Sequence, residues 1–240
     1  MNKNFYKTIF LAIFINFFLI NNSPIKSAFI NNNLSNKNIY NIKINKRNIE
    51  DILKLLKRYD YKNAPKKKLV NGQVTSTYRK LENEPKKSIE ELEKLINKPE
   101  KTTKYKKFIT KAILTLISNG VNIFVKDIKE DISAQWFYKS KTITIDEKSF
   151  KNGTKNFAYL LSHEMIHVSQ SCKGGGFDSY PVLIGLDLKK TNHFNYKNLS
   201  SSAYKDLKDN EINLEMEAYA HQKNLIQTLN LFKYFCLKIR

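Results

Sequence analysis

The chain has 240 residues, enough for one domain with a substantial core. With 41% hydrophobic and 27% charged residues, two cysteines and seven glycines, it is neither a disulfide framework nor collagenous. The formal net charge of +20 points to anionic partners, but lysine supplies nearly all of it and only Arg47, Arg58, Arg79 and Arg240 are arginines. Readers of nucleic acid lean on arginine for bidentate contacts, so no nucleic-acid target is expected. The Lys, Asn and Ile usage is that of an AT-rich coding bias, and an anionic membrane surface or an acidic substrate stays compatible with the charge.

Taken in chain order, Lys3 and Lys7 precede an apolar run from Ile9 to Ile20, broken only by Asn16. That is short for a transmembrane helix and about right for the core of a signal peptide. Residues 1–28 therefore read as a signal peptide or a short membrane anchor, and the protein as exported. Residues 29–47 are asparagine-rich and read as a linker. Residues 48–104 read as a helical extension or pro-segment. In it Ile49, Ile52, Leu53, Leu55 and Leu56 follow helical spacing behind Asn48 as N-cap. A turn is expected around residues 63–68, and Ser88 with Glu91 spells a capping box for a second helix.

From residue 105 onwards the pattern is that of one α+β unit. A helix ends at Gly120, and Val121, Ile123 and Val125 alternate as in a strand. SAQWFYKS and KTITIDE form a hairpin with its turn near residues 139–141. A helix starts at Thr154, an irregular stretch runs from Lys173 to about Lys208, and one final helix spans about Asn210 to Leu237. Cys172 and Cys236 would pair in an oxidising compartment and stay thiols otherwise.

The helix from Thr154 contains HEMIH. Residues four apart project from the same helical face, so His163 and His167 can grip one metal ion. Glu164 lies beside that ion, placed to take a proton from a water that zinc polarises. The neighbours Leu160, Leu161, Met165, Ile166 and Val168 suit a buried helix. A catalytic zinc wants a third protein ligand. The final helix, NEINLEMEAYAHQ, offers Glu215, with Ala218, Tyr219 and Gln222 on its face. Glu211 and Glu217 read as a solvated face and His221 as a surface residue.

HEMIH followed by EMEAY resembles the gluzincin branch of zinc metallopeptidases, in a minimal-size form covering roughly residues 105–238. The resemblance implies a zincin-like core of helix, small β-sheet, HExxH helix and glutamate helix. It also implies one zinc per chain on His163, His167 and Glu215, with Glu164 catalytic and a peptide or protein as substrate. Where the family has an aspartate that supports a ligating histidine, this chain has Tyr219. In such folds the strand before the motif, here KTITID, lies at the cleft edge and pairs with an extended substrate. Tyr219, Tyr180 and His193 are candidates for the group that faces the oxyanion. The competing readings are a catalytically inactive zinc-binding interaction domain and a basic protein that binds anions or lipid.

Overall fold

The metal motif sits on a helix that is buried nearly all the way round. In the computed structural model this helix, α4, runs Gly153–Lys173, and every residue from Leu161 to Cys172 is buried. A helix with no solvent face needs neighbours on all sides. The described residues are 42–71, 73–80, 86–128, 132–188 and 208–237. The expected signal segment (residues 1–28), residues 29–41 and His193 lie outside them. Among the described residues there are six α-helices and two small sheets, a mixed α+β architecture.

The helices are α1 (Ile49–Asn63), α2 (Ile89–Asn97), α3 (Thr103–Ser118), α4, α5 (Asp209–His221) and α6 (Leu225–Cys236). The strands are β1 (Ile42–Lys43), β2 (Lys66–Val70), β3 (Gln73–Thr77), β4 (Asn122–Lys126), β5 (Ala134–Phe137) and β6 (Thr142–Asp146). Helices α1, α3, α5 and α6 and strand β5 all pack against α4. The four-stranded sheet has the order β1-β4-β6-β5. Its β4–β6 pair is parallel, and the β1–β4 and β5–β6 pairs are antiparallel.

Helix α3 ends as expected. Gly120 takes φ +83°, and Val121 N–H reaches back to the Leu116 carbonyl at 3.1 Å, closing the helix. The β5–β6 hairpin is also as expected, turning through Lys141 in a left-handed conformation. Ser88 forms the capping box of α2 with Glu91.

Several expectations need correction. The linker does not extend to residue 47, because Ile42–Lys43 pairs with β4 and Ile44 is buried in the core. The turn expected at residues 63–68 is instead the start of the β2–β3 hairpin, in which Val70 pairs with Gln73. The two residues between them, Asn71 and Gly72, are the commonest hairpin dipeptide. The final helix is two: Asn224 interrupts it and caps α6, its Oδ1 accepting from Gln227 N–H at 3.2 Å. KTITID is not the cleft edge. It forms β6, flanked on both sides, and among the described residues the edge strands are β1 and β5 (AQWF).

Helix α1 shares the core of the segment that follows residue 105. Ile49, Ile52 and Leu56 pack with Phe157, Leu161 and Met165 in one hydrophobic cluster. It also holds the start of the metal helix. Asp60 Oδ1 accepts from Thr154 N–H at 2.7 Å, and Thr154 Oγ1 donates to Asp60 Oδ2 at 2.5 Å. A side chain 94 positions away thus does the work of an N-cap, which the local residue Asn152 does not. Gly153 makes room for it: its φ is +81°, and a Cβ there would overlap the Asp60 carboxylate. At the other end, the Cys172–Cys236 disulfide ties α4 to α6, closing a loop of 64 residues. A loop that long stabilises by roughly 4 kcal/mol through the unfolded chain.

The Asp60 cap predicts that Asp60→Ala destabilises the fold by about 1–2 kcal/mol. Urea unfolding followed by circular dichroism would measure it. A loss that small in a still-folded chain would assign α1 to the scaffold of the metal helix.

Candidate metal centre

Burying α4 puts eight polar side chains out of solvent: Thr154, Ser162, His163, Glu164, His167, Ser169, Gln170 and Ser171. Each must find a partner or cost free energy. Away from the motif they do. Thr154 bonds Asp60, and Ser162 bonds Thr228 on α6 at 2.7 Å. Ser169 donates to the Met165 carbonyl, and Ser171 accepts from the Trp136 indole at 2.9 Å. The buried side-chain atoms without a partner among the described residues are Asn63 Oδ1, His163 Nδ1 and Glu164 Oε2. Two of these three belong to HEMIH.

The sequence places His163 and His167 one turn apart, and the fold brings α5 alongside so that Glu215 meets both. His163 Nε2 and His167 Nε2 are 3.0 Å apart. Glu215 Oε2 is 3.2 Å from the first and Glu215 Oε1 3.2 Å from the second. Ligand atoms of a tetrahedral zinc, bonded at roughly 2.0–2.1 Å, lie about 3.3 Å from one another. The His163–His167 pair is near that spacing, Glu215 spans the two rings with its two oxygens, and this buried cluster could hold a metal ion. Its donor set, two imidazoles and a carboxylate, suits zinc and other borderline divalent ions.

Electrostatics agrees with a cation at this point. Burial pushes the His167 imidazolium down, but the Glu215 carboxylate beside it outweighs burial and raises the ring to about 9. Burial pushes Glu215 up, and the two histidines, His167 foremost, hold its carboxyl well below the usual range. A proton shared between these groups occupies the position a metal would take. Glu164 is 2% exposed. Burial raises its pKa against the pull of His163 and His167, and the Trp136 backbone is hydrogen-bonded to its carboxylate. That contact comes from strand β5.

Of the other expected groups, Tyr219 lies closest. Its ring is tilted against that of His163, with centroids 4.5 Å apart. The Tyr180 hydroxyl faces the first turn of α5, at 3.4 Å from both Glu211 and Asn210, and its ring packs edge-on to Tyr138. Two readings from the sequence are corrected. Glu217 is 1% exposed rather than solvated, and His221 is buried rather than at the surface. The signal was present, because Leu214, Glu217, Ala218 and His221 fall at i, i+3, i+4 and i+7, the stripe α5 buries. Gln170 was missed as well. Its Oε1 lies 2.8 Å from His167 Nδ1, and its Nε2 reaches the Leu214 carbonyl and Glu217. Among the described residues no helix is long and apolar enough to cross a membrane.

Comparison with protein-family models, with curated proteins and with solved structures returns no match.

Metal uptake has to expel the proton held by His167 and Glu215. Binding of one divalent ion at pH 7 is therefore expected to release about one proton. The proton occupies the site below the His167 value of about 9 and leaves above it. Affinity should accordingly weaken as pH falls from about 9 and level off above it. Titration calorimetry in buffers of unlike ionisation enthalpy reads the proton count.

Proposed function

We propose that this chain is a zinc-dependent peptidase with a zincin-like core, similar in its site to the gluzincins. The observation that carries the reading is the convergence of His163, His167 and Glu215, with one ligand atom from each within 4.8 Å of the others, and the buried Glu164 beside them. Three protein ligands leave a fourth position for water or substrate, as catalytic zinc requires. Zinc, when bound, supplies a Lewis acid that brings the pKa of a water towards neutrality.

The protein residues do the rest. His163 and His167 present Nε2, and Glu215 presents its carboxylate. Glu164 accepts the proton from the attacking water and passes it to the leaving amine. Burial, which favours its neutral form, makes that transfer reversible at moderate pH. Strand β5 offers an unpaired edge for an extended peptide, in the role first expected of KTITID. In the antiparallel β5–β6 pair, Ser133 accepts from Asp146 N–H, so the Ala134 and Trp136 backbones turn away from β6, with Trp136 already engaged by Glu164. Phe137 and Tyr180 are partly exposed near that edge and favour a substrate with apolar side chains.

The disulfide between Cys172 and Cys236 supports an exported protein, since such bonds persist in oxidising compartments. The basic surface is compatible with residence near anionic membrane, without a role in the chemistry.

A second reading is an inactive domain that binds zinc and a partner through the same cleft. It is favoured by His163 Nδ1, which is buried without an acceptor among the described residues where the resembled enzymes use an aspartate.

One pair of variants separates these readings. Glu164→Gln is expected to keep its zinc and lose peptide hydrolysis by at least about a hundredfold, the usual contribution of a general base. Glu215→Ala is expected to lose zinc on dialysis. Zinc content by mass spectrometry and a peptide-library digest are the measurements. Zinc without cleavage by the parent selects the inactive domain, and hydrolysis undiminished in Glu164→Gln overturns the mechanism.

A further inference from the structure

The amide of Gln170 can be oriented from its neighbours. Its Nε2 lies 3.1 Å from the Leu214 carbonyl and 2.9 Å from Glu217 Oε2. Both neighbours only accept, so the NH₂ group must face them. Oε1 is thereby turned to His167 Nδ1 at 2.8 Å. An amide oxygen only accepts, so Nδ1 must carry a proton. In the neutral ring the lone pair is then left on Nε2, the atom that faces Glu215 and His163.

Glu217 ties this arrangement to a different part of the chain. Its Oε2 also accepts from Ile184 N–H at 2.8 Å, and its Oε1 accepts from Gly185 and Leu186 N–H at 2.6 and 2.7 Å. Three successive backbone donors and one side-chain donor thus converge on a single buried carboxylate. Gly185 makes the convergence possible, with φ +91°. The segment is held on both sides: Val182 N–H bonds the Gln170 carbonyl at 3.2 Å, and Lys173 Nζ donates to the Leu183 and Ile184 carbonyls. Val182 and Leu183 keep about two fifths of their surface exposed.

We infer that Gln170 and Glu217 are positioning residues that fix the ligating tautomer of His167 and couple metal binding to the order of residues 182–186. The inference rests on the metal reading proposed above. In the resembled enzymes a carboxylate supports a ligating histidine from the position that Tyr219 holds here. In this chain His163 has a ring contact with Tyr219 and no acceptor at Nδ1, whereas His167 has the supported Nδ1. Support has moved to the other histidine and runs through an amide to a carboxylate that also clamps a loop. Linkage then requires reciprocity: what metal gains from an ordered 182–186 segment, the segment gains from metal.

The test uses the full chain with Co²⁺ and Zn²⁺ as probes. Gln170→Met, close in volume and unable to bond Nδ1, is expected to weaken Co²⁺ binding by about 10- to 100-fold, the usual effect of removing such a partner. It should also shift the visible absorption of the bound ion. Glu217→Gln should weaken binding too, and the double variant should lose no more than the larger single loss, because both act through one path. The amides of Ile184, Gly185 and Leu186 should exchange more slowly with Zn²⁺ bound than without it. A parent that binds one ion while Gln170→Met binds it within twofold would overturn the relay and leave the metal reading intact. A parent that binds no ion would overturn the metal reading. The relay would then be judged on the unsubstituted chain, by the ring nitrogen spectrum of His167 at a pH where the ring is neutral: a proton on Nδ1 supports it and a proton on Nε2 overturns it. That readout needs no variant and is indifferent to folding losses in Gln170→Met.

Discussion

The whole arrangement depends on burying α4. A helix that carries two histidines, a glutamate, a glutamine and several hydroxyls into a core gains stability only if its polar atoms are answered. Most are, by groups far away in sequence: Asp60 at its start, Thr228 on α6, Trp136 on the edge strand, Leu214 and Glu217 on α5. What stays unanswered among the described residues is concentrated in HEMIH, at His163 Nδ1 and Glu164 Oε2, next to the His163, His167 and Glu215 cluster that could hold a metal ion. Local conflict confined to one place, in a helix otherwise satisfied, is the pattern expected where function overrides stability.

The two histidines are not equivalent. His167 is oriented by a hydrogen bond that leaves Nε2 for a ligand. His163 is held by packing against Tyr219. Ring packing restricts where the imidazole lies and does not choose its tautomer, whereas a hydrogen bond at Nδ1 does both. His163 is therefore contacted by a ring, Tyr219, and has no carboxylate partner at Nδ1 among the described residues, whereas Gln170 links His167 Nδ1 to Glu217.

Much of this was legible in the sequence, for reasons that can be stated. HEMIH and Glu215 were found because two short periodicities, four residues on one helix and an acid on the next, are local patterns that the fold only had to bring together. The β5–β6 hairpin and the α2 capping box are local too. The roles of Glu217, His221 and Gln170 were not read, because a charged residue on a helix is usually solvated and their partners come from elsewhere: Gln170 with Leu214, Glu217 with Ile184 to Leu186, His221 with the Asp187 carbonyl. The position of β5 at the sheet edge, in place of β6, depends on β6 pairing in parallel with β4, a pairing that puts Ile143 opposite Ile123. The break between α5 and α6 was marked only by Asn224, a residue as common inside this asparagine-rich chain as at its caps.

The N-terminal region changes meaning once the core is seen. A removable segment should not supply the cap of the helix that carries HEMIH, since its loss would leave the first N–H groups of α4 unpaired under the core. Asp60 does supply that cap, and Ile44, Ile49, Ile52 and Leu56 lie in the cluster that surrounds Phe157 and Leu161. A metal helix held at its start by α1, at its middle by α5 and at its end by a disulfide to α6 has little freedom to shift along its axis. Side chains that meet across two helices at 3.2 Å require that fixity, because a displacement of about 1 Å at either helix would break the contacts of Glu215 with the two histidines.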